Sequence, residues 1–539
     1  MTSSPAPKTF RAALRPALLA GALLASGGVR AATLVVCTEA SPDSLNAALS
    51  TANTSFDVTE QFSDRLVEIA VGGSELRPGL AESWTISPDG LHYTFKLRRG
   101  VKWQSNAAFT PGRNFNADDV VFTFNRMLDK AGKWHGVGGG TFDMFDSYIA
   151  PGLQAVVKVD DDTVRFDLSS PAAALLNALS IQSASISSAE YAAAMDKAGT
   201  PAQLDRAPIG TGPFQLVQFQ PGASVRFRAF PGYWDRNGDR APKVDTLVFS
   251  VTPDPAVRLA KLQAGECQVA RYPNPTDVDA IRAMPGVVLQ EATIASVSYL
   301  AMRVDHKPLD DLRVRRALAA AIDLPNLVKA VWQGTGTPTA SVVPPSLWGS
   351  ADTLRPTPYD PVEARRLLAE AGLKDGFSLD LMVIPVTRAY MPNGRRAGEM
   401  IQADWAAVGV KARLVTYEWG EFIRRRRNGE GDAVMTGGTW DFPDPSQMLV
   451  NLNCANIPGG RNLADWCDKG YSDLIDQAAV ISDQAQRAAL YRQAQAMVHD
   501  QVPIVLFADS KAYVALRREV TGFKLQALGG QPFGGVGVP

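Results

Sequence analysis

The chain lacks the motifs on which most enzymes are built. It has no HExxH, so a zincin protease would be without its ligands, and no GxSxG, so a hydrolase would be without its nucleophile elbow. Its one Gly-Lys pair, Gly132-Lys133, is followed by Trp134, which excludes a phosphate-binding P-loop, and GxGxxG is absent too. These absences leave no positive argument for an enzyme. Charge of one sign is also missing: 54 Lys and Arg face 55 Asp and Glu among 539 residues, a net of −1. A dedicated nucleic-acid binder would show a basic excess. After the first thirty positions no run of 18 apolar residues occurs, so no membrane-spanning helix is expected in the mature chain. Cysteine and histidine are scarce, at four each. With no CxxC and with His92, His135, His306 and His499 scattered, neither a zinc site nor any other cofactor is expected.

What is present is ordinary globular composition, 46% hydrophobic and 20% charged. At about 150 residues per domain the length predicts three or four structural units. The first thirty-one residues stand apart. Lys8, Arg11 and Arg15 precede an apolar run from Ala17 to Ala25, and Val29-Arg30-Ala31 supplies a cleavage site. This is the pattern of a secretory signal peptide, too short to span a membrane. Its removal takes four basic residues and no acid, which moves the net charge from −1 to −5. Export makes disulfides the expected state of the cysteines. Cys454 and Cys467 would close a short loop, leaving Cys37 to pair with Cys267.

Hydrophobic periodicity outlines the elements. Thr33 to Glu39 reads as a buried strand, and Ala81 to Trp103 as a hairpin turning at Ser87-Pro88-Asp89-Gly90. Asn116 caps a helix whose first turn carries Asp118 and Asp119. Asp245 to Arg271 reads as β-α-β, and a helix capped by Asp360 runs to Gly372. Ser378 to Asp444 is the most informative stretch. Strands at 378–385, 410–416 and 432–437 alternate with helices at 395–408 and 418–427. That order predicts parallel strands with right-handed crossovers, whose ligands bind beyond the carboxyl ends. Arg388 follows the first of these strands and Asp441 the third, so an unlike charge pair is expected on one crevice. The basic run Arg424 to Arg427 reads as a solvated helix end.

The strings VVCTEASPDSLN, GLAESW, LRRGVKW, FNADDVVFTFNR, PIGTGPF, KPLDDLRVRRAL, MIQADWAAVGV and VTYEWGEF resemble the peptide/nickel family (family 5) of ABC-transporter solute-binding proteins, and within it the dipeptide-binding members. The likeness runs over nearly the whole mature chain. It implies an α/β, two-lobed, hinged periplasmic binding protein of the cluster C type with an extra subdomain in lobe one. The expected division is a signal peptide at 1–31, lobe one at 32–295, lobe two at 296–510, and a return to lobe one at 511–539. It also implies a soluble, monomeric periplasmic receptor that is not an enzyme. Such a receptor takes a dipeptide or other short peptide by hinge closure and delivers it to an inner-membrane ABC permease. The same fold carries longer peptides, glutathione, haem or nickel chelates in other members. A periplasmic chaperone or peptidase is the alternative of another class.

By the same resemblance, Arg388 in Pro385-Val-Thr-Arg388 matches the residue that takes the peptide carboxylate, and Asp441 the one that takes the amine. A planar guanidinium fork suits a carboxylate, and burying peptide termini unpaired would cost several kcal/mol. The dipeptide members resemble Gly-Trp-Thr-Gly-Asp before that carboxylate, whereas this chain reads Gly437-Gly438-Thr439-Trp440-Asp441. Gly438, Thr439, Trp440 and Trp419 are therefore expected near the pocket. Phe142, Thr54 and Ser55 are expected contacts from lobe one.

Overall fold

The computed structural model describes residues 1–6, 32–457 and 460–539. The chain divides into two compact units, Met1–Ala31 and Ala32–Pro539. The expected leader falls almost wholly on residues 7–31, outside the described residues.

In the larger unit the strand Thr33–Thr38 runs inside an eight-stranded sheet, parallel to Thr246–Val251 on one side and Val269–Arg271 on the other. Both faces of such a strand are covered, which is why its text is a continuous apolar run. The helix Pro255–Ala264 crosses between the flanking strands, with Asp254 capping it and Pro255 opening its first turn. The disulfide Cys37–Cys267 fastens the central strand to the end of this crossover. The strand Ala508–Arg517 returns from the far end of the chain and lies antiparallel to Val269–Arg271 and Val287–Thr293.

A separate four-stranded antiparallel sheet holds the expected hairpin, Ala81–Ile86 with His92–Leu97, beside Thr163–Leu168 and Leu153–Asp160. The helix Ala117–Leu128 covers it and opens on a capping box of Asn116 and Asp119. Phe95, Phe124 and Phe166 meet edge to face in its core, which is distinct from that of the eight-stranded sheet.

The second lobe is built on a five-stranded sheet in the order Val410–Val415, Phe377–Met382, Ala433–Thr439, Ser296–Met302, Ile504–Leu506. The first three strands are parallel, as the β-α-β-α-β text predicts. The helix Gly394–Ala406 buries Ala397, Ile401 and Trp405, one face at i, i+4, i+8. Met400, on the same helix, is only half-buried. The Trp405 indole N–H donates to the Leu318 carbonyl at 3.0 Å. Truncating so large a buried ring costs about 3–5 kcal/mol.

The chain passes between the eight- and five-stranded sheets along two short links. One is Ile294-Ala295, between the strands Val287–Thr293 and Ser296–Met302; the other is Phe507, between Ile504–Leu506 and Ala508–Arg517. All three residues are buried. The Ser298 hydroxyl, between the two links, donates to the Ala508 carbonyl and accepts from the Ala508 N–H, both at 3.1 Å.

Candidate functional site

A cavity of ≈ 110 Å³ lies where the lobes meet. At about 10–15 Å³ per water position it has room for several small polar groups. Arg388 and Asp441 both line it.

Arg388 stands in the loop after Phe377–Met382. Its N–H donates to the Met391 carbonyl and its carbonyl accepts from the Met391 N–H, both at 3.1 Å, so the backbone there is a pinned turn. The side chain is buried, with its guanidinium carbon 4.5 Å from the centre of the Trp419 ring. One nitrogen of the fork is ion-paired with Glu39, which follows the strand Thr33–Thr38 in the opposite lobe and is itself buried. The Thr38 hydroxyl donates to the other oxygen of Glu39 at 2.8 Å. The second fork nitrogen, Nη2, is buried with no hydrogen-bond partner. A buried donor left unmade costs about 1–3 kcal/mol, so this one is poised for an acceptor.

Asp441 follows the strand Ala433–Thr439. Its N–H donates to Gln447 Oε1 at 2.7 Å, and Gln447 Nε2 donates back to Asp441 Oδ2 at 2.6 Å. Burial pushes the carboxyl up to about 7, against the opposing pull of Gln447 and Arg461. Arg388 and Asp441 thus stand beyond the carboxyl ends of two neighbouring parallel strands.

Thr439, Gly438 and Trp419 line the same cavity. Thr439 accepts from the Asn53 amide at 2.9 Å, a contact across the lobes. At Gly438 a Cβ would come within 2.4 Å of Met448 Cε, so the methionine already fills that space. The other expected lining residues lie elsewhere. Trp440 is fully buried among Ala295, Val297 and Leu528, its indole N–H donating to the Asp444 carbonyl at 3.1 Å. Strand alternation turns it away from the cavity and into the packing around the links. Phe142 is core of the four-stranded subdomain, edge-on to His135. Thr54 and Ser55 are buried in the short helix Asn53–Thr59, where Ser55 bonds to Asp43. Thr51, Ala52 and Asn53, just ahead of them, face the cavity instead.

Arg461 and Tyr148 also line the cavity and had no place in the sequence reading, and Arg426 and Arg427, expected at a solvated helix end, line it as well. The helix Trp419–Arg427 is capped by Glu418 and buries Trp419, Phe422 and Ile423. Arg424 and Arg425 turn outward and pair with Glu421 at 2.6 Å, as a solvated helix end would. Arg426 and Arg427 fall four residues after Phe422 and Ile423 and so share their inward face. That spacing was the signal available in the sequence. Arg427 is ion-paired with Asp143 of the opposite lobe and donates to Thr51 Oγ1 at 2.9 Å. Arg461 donates to Asn451 Oδ1 at 2.8 Å and to the Tyr148 hydroxyl, with its guanidinium 4.8 Å from the Tyr148 ring centre. The loop bearing Arg461 is clipped by the disulfide Cys454–Cys467. Both disulfides are therefore paired as expected. No histidine or cysteine lines the cavity among the described residues.

Residues 75–458 match the family described as bacterial extracellular solute-binding proteins, family 5 middle. The chain is 46% identical over 520 residues to the dipeptide-binding protein of Escherichia coli (strain K12), covering 96% of each. It is 41% identical over 508 residues to heme-binding protein A of Haemophilus influenzae, covering 94% of this chain and 92% of that one. Among solved structures, the dipeptide-binding protein from Pseudoalteromonas sp. SM9913 in complex with Met-Leu superposes with a TM-score of 0.90 at 33% identity, covering 94% of this chain and 100% of that one.

Proposed function

Since the chain belongs to family 5 of the bacterial extracellular solute-binding proteins, whose members are transport receptors and not enzymes, we propose that it captures dipeptides between its two lobes. It is a periplasmic protein in this reading, exported by its signal peptide, working as a monomer and handing its cargo to an ABC permease of the inner membrane. Closure moves residues 296–506 against residues 32–293 and 508–539 about the two links.

One observation carries the reading: Arg388 and Asp441, 53 positions apart in sequence, open on one interlobe cavity. The ligand carboxylate would take the unpartnered Nη2 of Arg388, and the ligand ammonium would take Asp441. Neither terminus is then buried unpaired. The relative named for dipeptides and the Met-Leu complex support the cargo class. The relative named for heme shows that sequence likeness at this level does not fix cargo by itself.

The test is thermal unfolding of unfolded and refolded protein, because such receptors can retain ligand through purification. The panel holds a free dipeptide, its N-acetyl and C-amide forms, a tripeptide, glutathione and haem. A ligand at 100 times its Kd adds about 2.7 kcal/mol to the native state. The expected result is a shift with the free dipeptide that disappears when either end is blocked. A shift with haem or glutathione alone would replace the cargo and keep the fold. Arg388→Ala is a poor probe of the site, because it strands the buried Glu39 carboxylate, a change that costs about 3–5 kcal/mol. The matched pair Glu39→Gln with Arg388→Met removes both charges together. It is expected to fold and to lose dipeptide binding; wild-type affinity in that protein would take Arg388 out of the site.

A further inference from the structure

The charges around the cavity do not balance. Arg388 is neutralised by Glu39 and Arg427 by Asp143. Arg426 and Arg461 also line the cavity, and among the described residues no carboxylate lies within ion-pair distance of either. Arg426 spends one nitrogen on the Thr436 hydroxyl at 2.6 Å, while its Nε is buried without a partner. Arg461 has only neutral acceptors, Asn451, Tyr148 and the Met144 sulfur. Asp441 is the single unpaired acid of the lining. In the peptide reading it is consumed by the ligand ammonium. Two guanidinium groups then remain in a largely dehydrated space with no counter-charge from the protein. A neutral zwitterion, whose own carboxylate goes to Arg388, does not supply one.

We propose that the preferred cargo is a dipeptide bearing an acidic side chain, whose third charge is received by Arg426 and Arg461. This rests on the peptide-receptor reading and names the substrate class within it. Burial, together with the repulsion of Arg427 and Arg461, pulls Arg426 down to about 10, the direction expected of a cation that lacks its anion. Arginine is the residue suited to this task, because its planar fork binds a carboxylate with two parallel hydrogen bonds and stays charged when dehydrated. The aromatic neighbours fit the same role. Tyr148 packs under the Arg461 guanidinium and Phe422 lies 5.9 Å from that of Arg426, so both forks are held without being discharged.

The test uses refolded full-length mature protein and titration calorimetry with Ala-Ala, Gln-Ala, Glu-Ala, Ala-Gln, Ala-Glu and Lys-Ala. Each Glu/Gln pair is nearly isosteric, so their comparison reads the charge alone. The expected result is that at least one Glu peptide binds about ten-fold or more tightly than its Gln partner, and that Lys-Ala binds weakest. In Arg426→Met the Glu-to-Gln affinity ratio should fall toward one, and Arg461→Gln gives the same readout if the first variant does not fold. Equal affinities for both Glu/Gln pairs in the wild-type protein overturn the proposal and leave the receptor reading standing. No binding by any of the six peptides overturns the receptor reading itself. A preference that survives in both variants assigns the acid side chain to other residues and overturns the role of this arginine pair.

Discussion

At the scale of the residue, Asp441 holds two demands in opposition. Its carboxyl is pushed up to about 7 by burial, from an unfolded value of 3.8. An acid raised in this way favours its protonated form in the fold. Its contribution to stability is therefore fully present below pH 3.8 and is lost as the pH rises toward about 7. Above that, the empty receptor carries an ionised carboxylate that costs it up to a few kcal/mol. A bound ammonium would offset the cost. Asp441→Asn is expected to raise the unfolding temperature of the ligand-free protein at pH 8, to leave it unchanged near pH 3, and to weaken dipeptide binding at pH 8. Scanning calorimetry at the two pH values, with and without dipeptide, reads all three. An unfolding temperature at pH 8 that falls instead would mean that Asp441 is a structural anchor. Glu39 shows why single residues were only half legible. Its partner Arg388 is 349 positions away, and no local pattern joins them.

At the scale of the element, the four-arginine run on Trp419–Arg427 and the loop from Cys454 to Cys467 do different work with the same side chain. Arg424 and Arg425 complement the negative end of the helix dipole in solvent, while Arg426 and Arg427 continue the buried stripe of Phe422 and Ile423. The composition of the run suggested one role, and its helical phase splits it into two. Arg461 arrives from a loop with little regular structure, so the disulfide across it matters. Closing a loop of this length is worth about 3 kcal/mol in the chain-entropy account. The double variant Cys454→Ser with Cys467→Ser is expected to speed hydrogen exchange across residues 460–467 and to weaken peptide binding. Removing Cys37–Cys267 should leave that exchange unchanged. Equal exchange in the two variants would show that packing of Leu463 and Trp466, and not the disulfide, orders the loop.

At the scale of the whole molecule, the lobes are joined by two buried links and by contacts that ring the cavity: Glu39 with Arg388, Asp143 with Arg427, Asn53 with Thr439, and the Tyr148 hydroxyl donating to the Gln447 carbonyl at 2.7 Å. In the peptide-receptor reading a bound ligand would add its own bridge to these contacts and so favour the closed arrangement. Asp143→Asn removes one interlobe ion pair and leaves Arg388 and Asp441 in place. Small-angle scattering is expected to show a larger radius of gyration for the ligand-free variant than for the wild type, with compactness restored by dipeptide at a several-fold weaker affinity. Identical scattering with and without the exchange would remove this pair from the closing device.

The sequence alone determined the three parallel strands of the second lobe and their succession along the chain, because apolar period and helix caps are local. It also placed Arg388 and Asp441, because both stand beyond the carboxyl ends of strands that it outlined as parallel. Tertiary structure decided the rest. It gave Arg388 a buried partner from the other lobe. It turned Trp440 into the packing beside the links and filled the place above Gly438 with Met448. It also brought Arg426 and Arg461 to one cavity from a helix and a clipped loop. The physical reason is that charge balance in a buried space is a sum over groups from distant segments, and no window of sequence contains that sum.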